Sequence, residues 1–358
     1  MSVAFNLMIQ LKIIFFFIII PEIFFTLLIN PISMLRIFKP EVYQGGDRPR
    51  KYFEGWYYKM VTGNEQNVFS FIPGISLNPQ DPHSFIQFIN GITGETRYIR
   101  YDKGDFRYSR KRLEVHIADS CFTDTKANIN IEKEDFKIRG ELLFHGLQKF
   151  PSSTMSPGIM GWYSFVPFME CKHSVVSMNH CIYGELSIND QVFSFNHGKG
   201  YIEKDWGTSF PSAWIWLQSN NFNNPTVSVM LSVAKIPWFG SYFMGFISFL
   251  HLNGETYLFT TYNNSTLTLK KYDDDFINID IRNKQHLLQL EIERKRDGEL
   301  VAPERGQMTR MIKESVDSVV RVSLFDQNNY LLFSKTGRRA GLEVTSNIFE
   351  LLTEPVGG

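Results

Sequence analysis

The sequence predicts an all-β body made of two tandem antiparallel barrel or sandwich units, and two observations carry that prediction. From Lys51 onward, short stretches of alternating character are separated by turn residues, with no long helical periodicity between them. Landmarks of the first half then recur in the same order in the second. A third observation sets the N-terminus apart: residues 2–38 are strongly apolar and read as a short helix before the body. The expected organisation is residues 1–40 as this segment, 41–209 as a first β domain and 210–354 as a second.

Composition narrows the classes of function. The chain has 358 residues, and its 37 Lys+Arg balance 37 Asp+Glu, so it lacks the basic surface that nucleic acid requires. Aromatic residues make up 15% of the chain, which fits β propensity and equally fits a deep apolar cavity for a hydrophobic ligand. Cys121, Cys171 and Cys181 have neither zinc spacing nor the number for a disulfide framework, which points to a reducing, cytoplasmic setting.

In the N-terminal segment, 13–20 is an uncharged apolar run, Pro21-Glu22 interrupts it, and 23–35 resumes it. Neither run reaches the ~20 residues that span a bilayer. Together they could span, at the cost of a glutamate at mid-depth and a proline kink. Membrane association through residues 2–38 is therefore expected as an anchor or interfacial segment. A helix packed on the body is the alternative.

Strands are expected at 52–61, 67–75, 84–90, 129–143, 183–195, 226–234 and 243–252. Turns are expected at Thr62-Gly63-Asn64, Thr93-Gly94-Glu95, Asn189-Asp190 and Asn253-Gly254. The repeat pairs Trp56 and Ser70 with Trp214 and Ser228, at the same interval. Phe85-Ile86 pairs with Phe246-Ile247, Gly94-Glu95-Thr96 with Gly254-Glu255-Thr256, and Gly200-Tyr201-Ile202-Glu203 with Gly341-Leu342-Glu343. The closing pair is separated by a shorter interval than the others, so the first half carries an insertion, placed at 150–172. Each half has the length of a lipocalin-like unit, a barrel able to hold one small ligand.

The run Lys51-Tyr52-Phe53-Glu54-Gly55-Trp56-Tyr57-Tyr58-Lys59 resembles the opening block of the tocopherol cyclase family. Gly161-Trp162-Tyr163-Ser164-Phe165-Val166-Pro167 and Tyr201-Ile202-Glu203-Lys204-Asp205-Trp206-Gly207 extend the resemblance, and so does Trp214-Ile215-Trp216-Leu217-Gln218. It covers the chain from about Val42 to Leu352.

The resemblance implies redox-neutral, acid-catalysed closure of a prenylated benzoquinol to a chromanol, with no nucleotide, metal or other cofactor. Such chemistry needs a carboxylic acid that desolvation keeps protonated, beside aromatic faces that relieve a tertiary cation. Asp205 is the first candidate for that acid, because the second half has no counterpart to it; Glu54 is the second. Glu203 is the third, because Glu343 repeats it and a repeated residue reads as structural. The competing reading of Asp205 is a salt bridge to Lys204 or Lys59, or a turn cap.

Trp56, Tyr58, Trp162, Trp206, Trp214 and Trp216 are the candidates for lining a prenylquinol or isoprenoid ligand. Ordinary barrel core is the alternative for them. His197 reads as a surface turn histidine, with a proton relay as the alternative; His173 and His180, with Cys171 and Cys181 beside them, read as structural, since their spacing fits no metal pattern. Two further functions stay open: a hydratase or cyclase of another isoprenoid lipid, and a non-catalytic carrier of a hydrophobic molecule.

Overall fold

The computed structural model describes residues 36–357 except 167, 168, 225, 239 and 346. The apolar runs at 13–20 and 23–35 lie outside the described residues. The fold is all-β, as expected, with two large antiparallel sheets, one of them nearly closed into a barrel.

The first sheet contains β1 (Phe53–Val61), β2 (Val68–Ser76), β3 (His83–Asn90), β4 (Thr96–Asp102), β5 (Phe106–Tyr108) and β6 (Glu114–Ile117). It continues with β7 (Ser120–Thr123), β8 (Lys126–Lys133), β9 (Phe136–Gln148), β10 (Cys171–Ile188), β11 (Gln191–Ser194) and β12 (Gly198–Gly207). The second sheet contains β13 (Trp214–Ser219), β14 (Ser228–Trp238), β15 (Ser241–Leu252), β16 (Glu255–Thr260), β17 (Thr266–Tyr272) and β18 (Phe276–Arg282). Its remaining strands are β19 (His286–Glu293), β20 (Gly298–Glu304), β21 (Gln307–Asp326), β22 (Leu331–Val344) and β23 (Val356–Gly357).

The turn chemistry explains why the hairpins close where they do. Asn189 and Asp190 both take positive φ, 47° and 66°, as a two-residue hairpin turn requires, and Asn253-Gly254 does the same at 52° and 89°. The stretch expected as one strand at 129–143 is two strands, β8 and β9, joined after Lys133.

Strand order repeats between the sheets: β4-β3-β2-β1-β12-β10 in the first and β16-β15-β14-β13-β22-β21 in the second. Trp56 and Trp214 thus lie on strands of equivalent position, yet the register separates them. Tyr57 faces Glu203 across β1–β12, whereas Trp216 faces Glu343 across β13–β22. The true counterpart of Trp216 is Tyr57, so the pairing of Trp56 with Trp214 is one residue out of step. One residue along a strand reverses the face. Trp56 and Tyr58 are buried in the core inside the first sheet, while Trp214 and Trp216 belong to a third core between the sheets. The second sheet has its own interior core around Ile215, Leu217, Val229 and Phe259.

Candidate active site

Antiparallel pairing of β1 with β12 sets Gly55 opposite Asp205, Trp56 opposite Lys204 and Tyr57 opposite Glu203. Since side chains alternate along a strand, Gly55, Tyr57, Glu203 and Asp205 point to one face and Glu54, Trp56, Lys204 and Trp206 to the other. The two motifs are thereby divided between two structures.

On the first face, a cavity of roughly 190 Å³ lies between the sheets and is lined by residues of both. Gly55, Tyr57, Phe85, Tyr163, Trp214, Trp216, Phe243 and Phe246 form much of its apolar wall, and Cys171, His173, Glu203, Asp205 and Glu343 its polar part. His173 reaches the cluster because β10 pairs with β12 and sets it opposite Asp205. Its Nδ1 lies 3.0 Å from Asp205 Oδ1, and its Nε2 lies 3.7 Å from Glu203 Oε2. The Glu203 carboxyl accepts from Tyr201 Oη at 2.6 Å and Trp216 Nε1 at 3.2 Å. From the second sheet, Glu343 accepts from Trp214 Nε1 at 2.6 Å.

These surroundings hold protons. Burial pushes Glu203 up to about 7, with His173 opposing and Asp205 adding to the rise. Burial raises Glu343 to about 8, opposed by the Trp214 N–H and reinforced by Glu203 and Asp205. Burial works against a charge on His173, but Asp205 and Glu203 outweigh it and hold the imidazolium up to about 9. Behind the cavity wall, Tyr57 Oη donates to the fully buried Glu314 at 2.6 Å, and burial raises that carboxyl too. Carboxyl groups crowded between two sheets cannot all ionise, so the cavity keeps transferable protons near neutral pH.

On the second face, Glu54 is fully buried and Lys204 Nζ lies 2.5 Å from its Oε1. The same carboxylate accepts from Gln44 N, Gly45 N and Tyr52 Oη. Lys204 also donates to the Pro40 and Val42 carbonyls and lies 5.0 Å over Trp56 and 4.6 Å over Trp206. Glu54 and Trp56, with Lys204 beneath Trp206, therefore hold residues 40–45 against the first sheet, Tyr58 donates within the first core to the Thr123 carbonyl, and none of Glu54, Trp56, Tyr58 and Trp206 lines the cavity. Trp162 lies in a 3-10 turn (Gly161–Phe165) and stacks on Tyr163, which is itself a wall residue. Of the six predicted ligand-lining aromatics, only Trp214 and Trp216 border the cavity. The salt bridge expected of Asp205 with Lys204 or Lys59 is replaced by the contact with His173; Lys59 Nζ donates instead to the Arg339 carbonyl at 2.7 Å.

His173 and Glu343 escaped sequence reasoning as site residues. Histidine spacing is uninformative when the partner lies on another strand. For Glu343 a signal existed: the repeat pairs it with Glu203, and repetition places an acid on each side of the seam. Among the described residues, His173, Glu203 and Asp205 also have ligand atoms within 4.8 Å of one another, the spacing of a cation site. Within this group His173 Nδ1 hydrogen-bonds Asp205 and Glu203 accepts from Tyr201 and Trp216, while the buried His173 Nε2 has no hydrogen-bond partner and lies 3.7 Å from Glu203.

Fold and site together define an all-β protein with an aromatic, proton-holding cavity at the seam of two topologically matched sheets. The chain belongs to the tocopherol cyclase-like family, whose sequence pattern matches residues 136–346. A probable chloroplastic tocopherol cyclase of Oryza sativa subsp. japonica is 26% identical over 196 residues, covering 51% of this chain and 41% of the rice protein. The chloroplastic tocopherol cyclase of Zea mays is 31% identical over 74 residues, 21% of this chain and 16% of its own length. The chain thus matches less than half the length of these relatives. Among solved structures, CghA shares the fold with a TM-score of 0.52 at 10% identity, covering 82% of this chain and 88% of its own.

Proposed function

We propose that this chain is a tocopherol cyclase-like enzyme that closes a prenylated benzoquinol to a chromanol by acid catalysis. One observation carries the reading: Glu203 and Glu343, driven toward their neutral forms by burial, meet the His173–Asp205 pair inside a cavity walled by aromatic rings. A proton passes from this cluster to the less substituted carbon of the trisubstituted alkene. The phenol oxygen then bonds to the tertiary carbon so formed, and the phenol proton returns to the cluster, so nothing is oxidised or reduced.

Asp205 and His173 are the delivering pair, being half-buried and facing the cavity, and Glu203 is the reserve behind them. Trp216 and Tyr57 border the developing cation with their rings edge to face at 5.2 Å, a π surface without a basic atom that could remove a proton. Trp214 sits differently, because the Arg310 guanidinium covers one face at 4.7 Å; its part is to hold Glu343.

The test is turnover of a prenylquinol followed by chromatography. Asp205→Asn keeps the shape but removes the carboxylate that pairs with His173 and relays the proton, so turnover should fall by ~10²–10⁴ while ligand binding persists. Near wild-type turnover in that variant would end the assignment to Asp205. Tight binding without turnover by the wild type would replace the enzyme with a carrier. Water as nucleophile on the same cation would make the protein a hydratase, read as a product one water heavier.

A further inference from the structure

A fourth apolar cluster stands apart from the three cores. Met160, Tyr163, Val166 and Phe243 are buried in it, and Trp162, Phe165, Met169, Ile236 and Trp238 pack on them. It joins the insertion at 150–172 to the hairpin of β14 and β15. Met160, Tyr163, Met169, Ile236 and Phe243 also line the cavity, so the cluster is one wall of it. The neighbouring surface is apolar as well: Phe38 is 42% exposed and Tyr242 46%.

The chain enters the described fold at this wall. Phe38 lies two residues after the first described position, and its ring meets Phe165 edge to face at 6.2 Å. The residues just before it are the apolar run 23–35, with 13–20 beyond the Pro21-Glu22 break. Each run is too short to span a bilayer alone, and both are apolar enough to enter one. Cations border the same edge: Lys39 is exposed, and Lys235 Nζ lies 4.1 Å over the Tyr242 ring. Apolar residues, amphipathic aromatic rings and flanking lysines together form the composition that seats at a membrane–water interface.

We propose that this edge docks on a lipid bilayer beside the N-terminal apolar runs, and that a hydrophobic ligand passes between bilayer and cavity through the wall of Met160, Tyr163 and Phe243. The passage of ligand rests on the reading of the cavity given above; the docking does not. It is therefore tested without measuring turnover.

The full chain is mixed with phosphatidylcholine–phosphatidylserine vesicles whose acyl chains carry bromine, which quenches tryptophan at short range. Trp162 and Trp238 lie at the edge, whereas Trp56, Trp214 and Trp216 are buried and Trp206 packs on the first core beneath Lys204. Quenching is expected in the wild type and should be mostly lost in Trp162→Phe/Trp238→Phe, which still binds vesicles. Phe38→Asp/Tyr242→Asp should lower vesicle affinity ~tenfold or more. Vesicle binding with quenching unchanged in the double Phe variant would mean that the N-terminal runs tether the protein without seating this edge, and would overturn the proposal. So would the absence of vesicle binding. Turnover in detergent, measured separately, reports on the cavity chemistry alone.

Discussion

Glu54 and Glu203 stand on neighbouring strands of one sheet, on opposite faces, and they meet different surroundings. Glu54 has a lysine and three further donors, and its charge is matched within the fold. Glu203 has two neutral donors and a histidine shared with Asp205, and burial drives its carboxyl toward the neutral form. Both acids belong to motifs of the same kind, an acid followed two or three residues later by Trp. What distinguishes the two acids is the number of cationic and donor partners, and strand alternation decides which acid receives them.

That contrast can be broken by mutation. Lys204→Met leaves Glu54 buried without its counter-charge, and denaturant unfolding should register a loss of ~3–5 kcal/mol. Glu203→Gln, which keeps an acceptor for Tyr201 and Trp216, should cost only about 1 kcal/mol. Equal losses would erase the distinction between the two faces.

A smaller effect is expected at Gly55, opposite Asp205. A Cβ built there meets only Ile72 at 3.5 Å and the Pro73 carbonyl at 3.8 Å, so the fold has room for one. Gly55→Leu directs the rest of its side chain into the cavity and should weaken prenylquinol binding by ~5–150-fold, the equivalent of 1–3 kcal/mol of overpacking. Titration calorimetry reads it, and an unchanged unfolding midpoint shows that the fold survives. Unaltered affinity would place the ligand elsewhere.

A further test is the pH slope of stability. Glu343 has its pKa raised from 4.5 to about 8 in the fold, so the folded state binds more protons than the unfolded chain between those values. Its contribution is fully present below pH 4.5 and is lost as pH rises through about 8. His173, raised from 6.5 to about 9, adds a loss in the same direction over its own window. Urea midpoints should therefore fall with pH across this range, and Glu343→Gln should flatten the lower part. A slope identical to wild type would show that Glu343 ionises freely in the fold.

Much of the fold was legible because its signals are local. Asn189-Asp190 and Asn253-Gly254 announce their hairpins, since positive φ restricts the residues that can stand there. The order of landmarks foretold that Trp56 and Trp214 would lie on strands of equivalent position. The face of each was illegible: sequence matching paired indole with indole, whereas strand register pairs Trp216 with Tyr57. The seam cavity was hidden for a similar reason, because it depends on which outer faces of the two sheets meet. His173 stands 32 residues from Asp205, and only the pairing of β10 with β12 joins them.

Because the cavity lies between the sheets, most of its wall is separate from the two interior cores, Phe246 being shared with the second. Gly55, Ala234 and Ile312 face the seam, whereas Trp56, Ile215 and Leu231 fill the barrels. Substitutions on the seam can reshape the ligand space while the residues that hold each sheet together stay fixed. A lineage with this architecture can explore new substrates by drifting along one surface, and the price in foldability of each step is small. A ligand site sunk inside a barrel would lack that freedom, since every change of fit would also be a change of core.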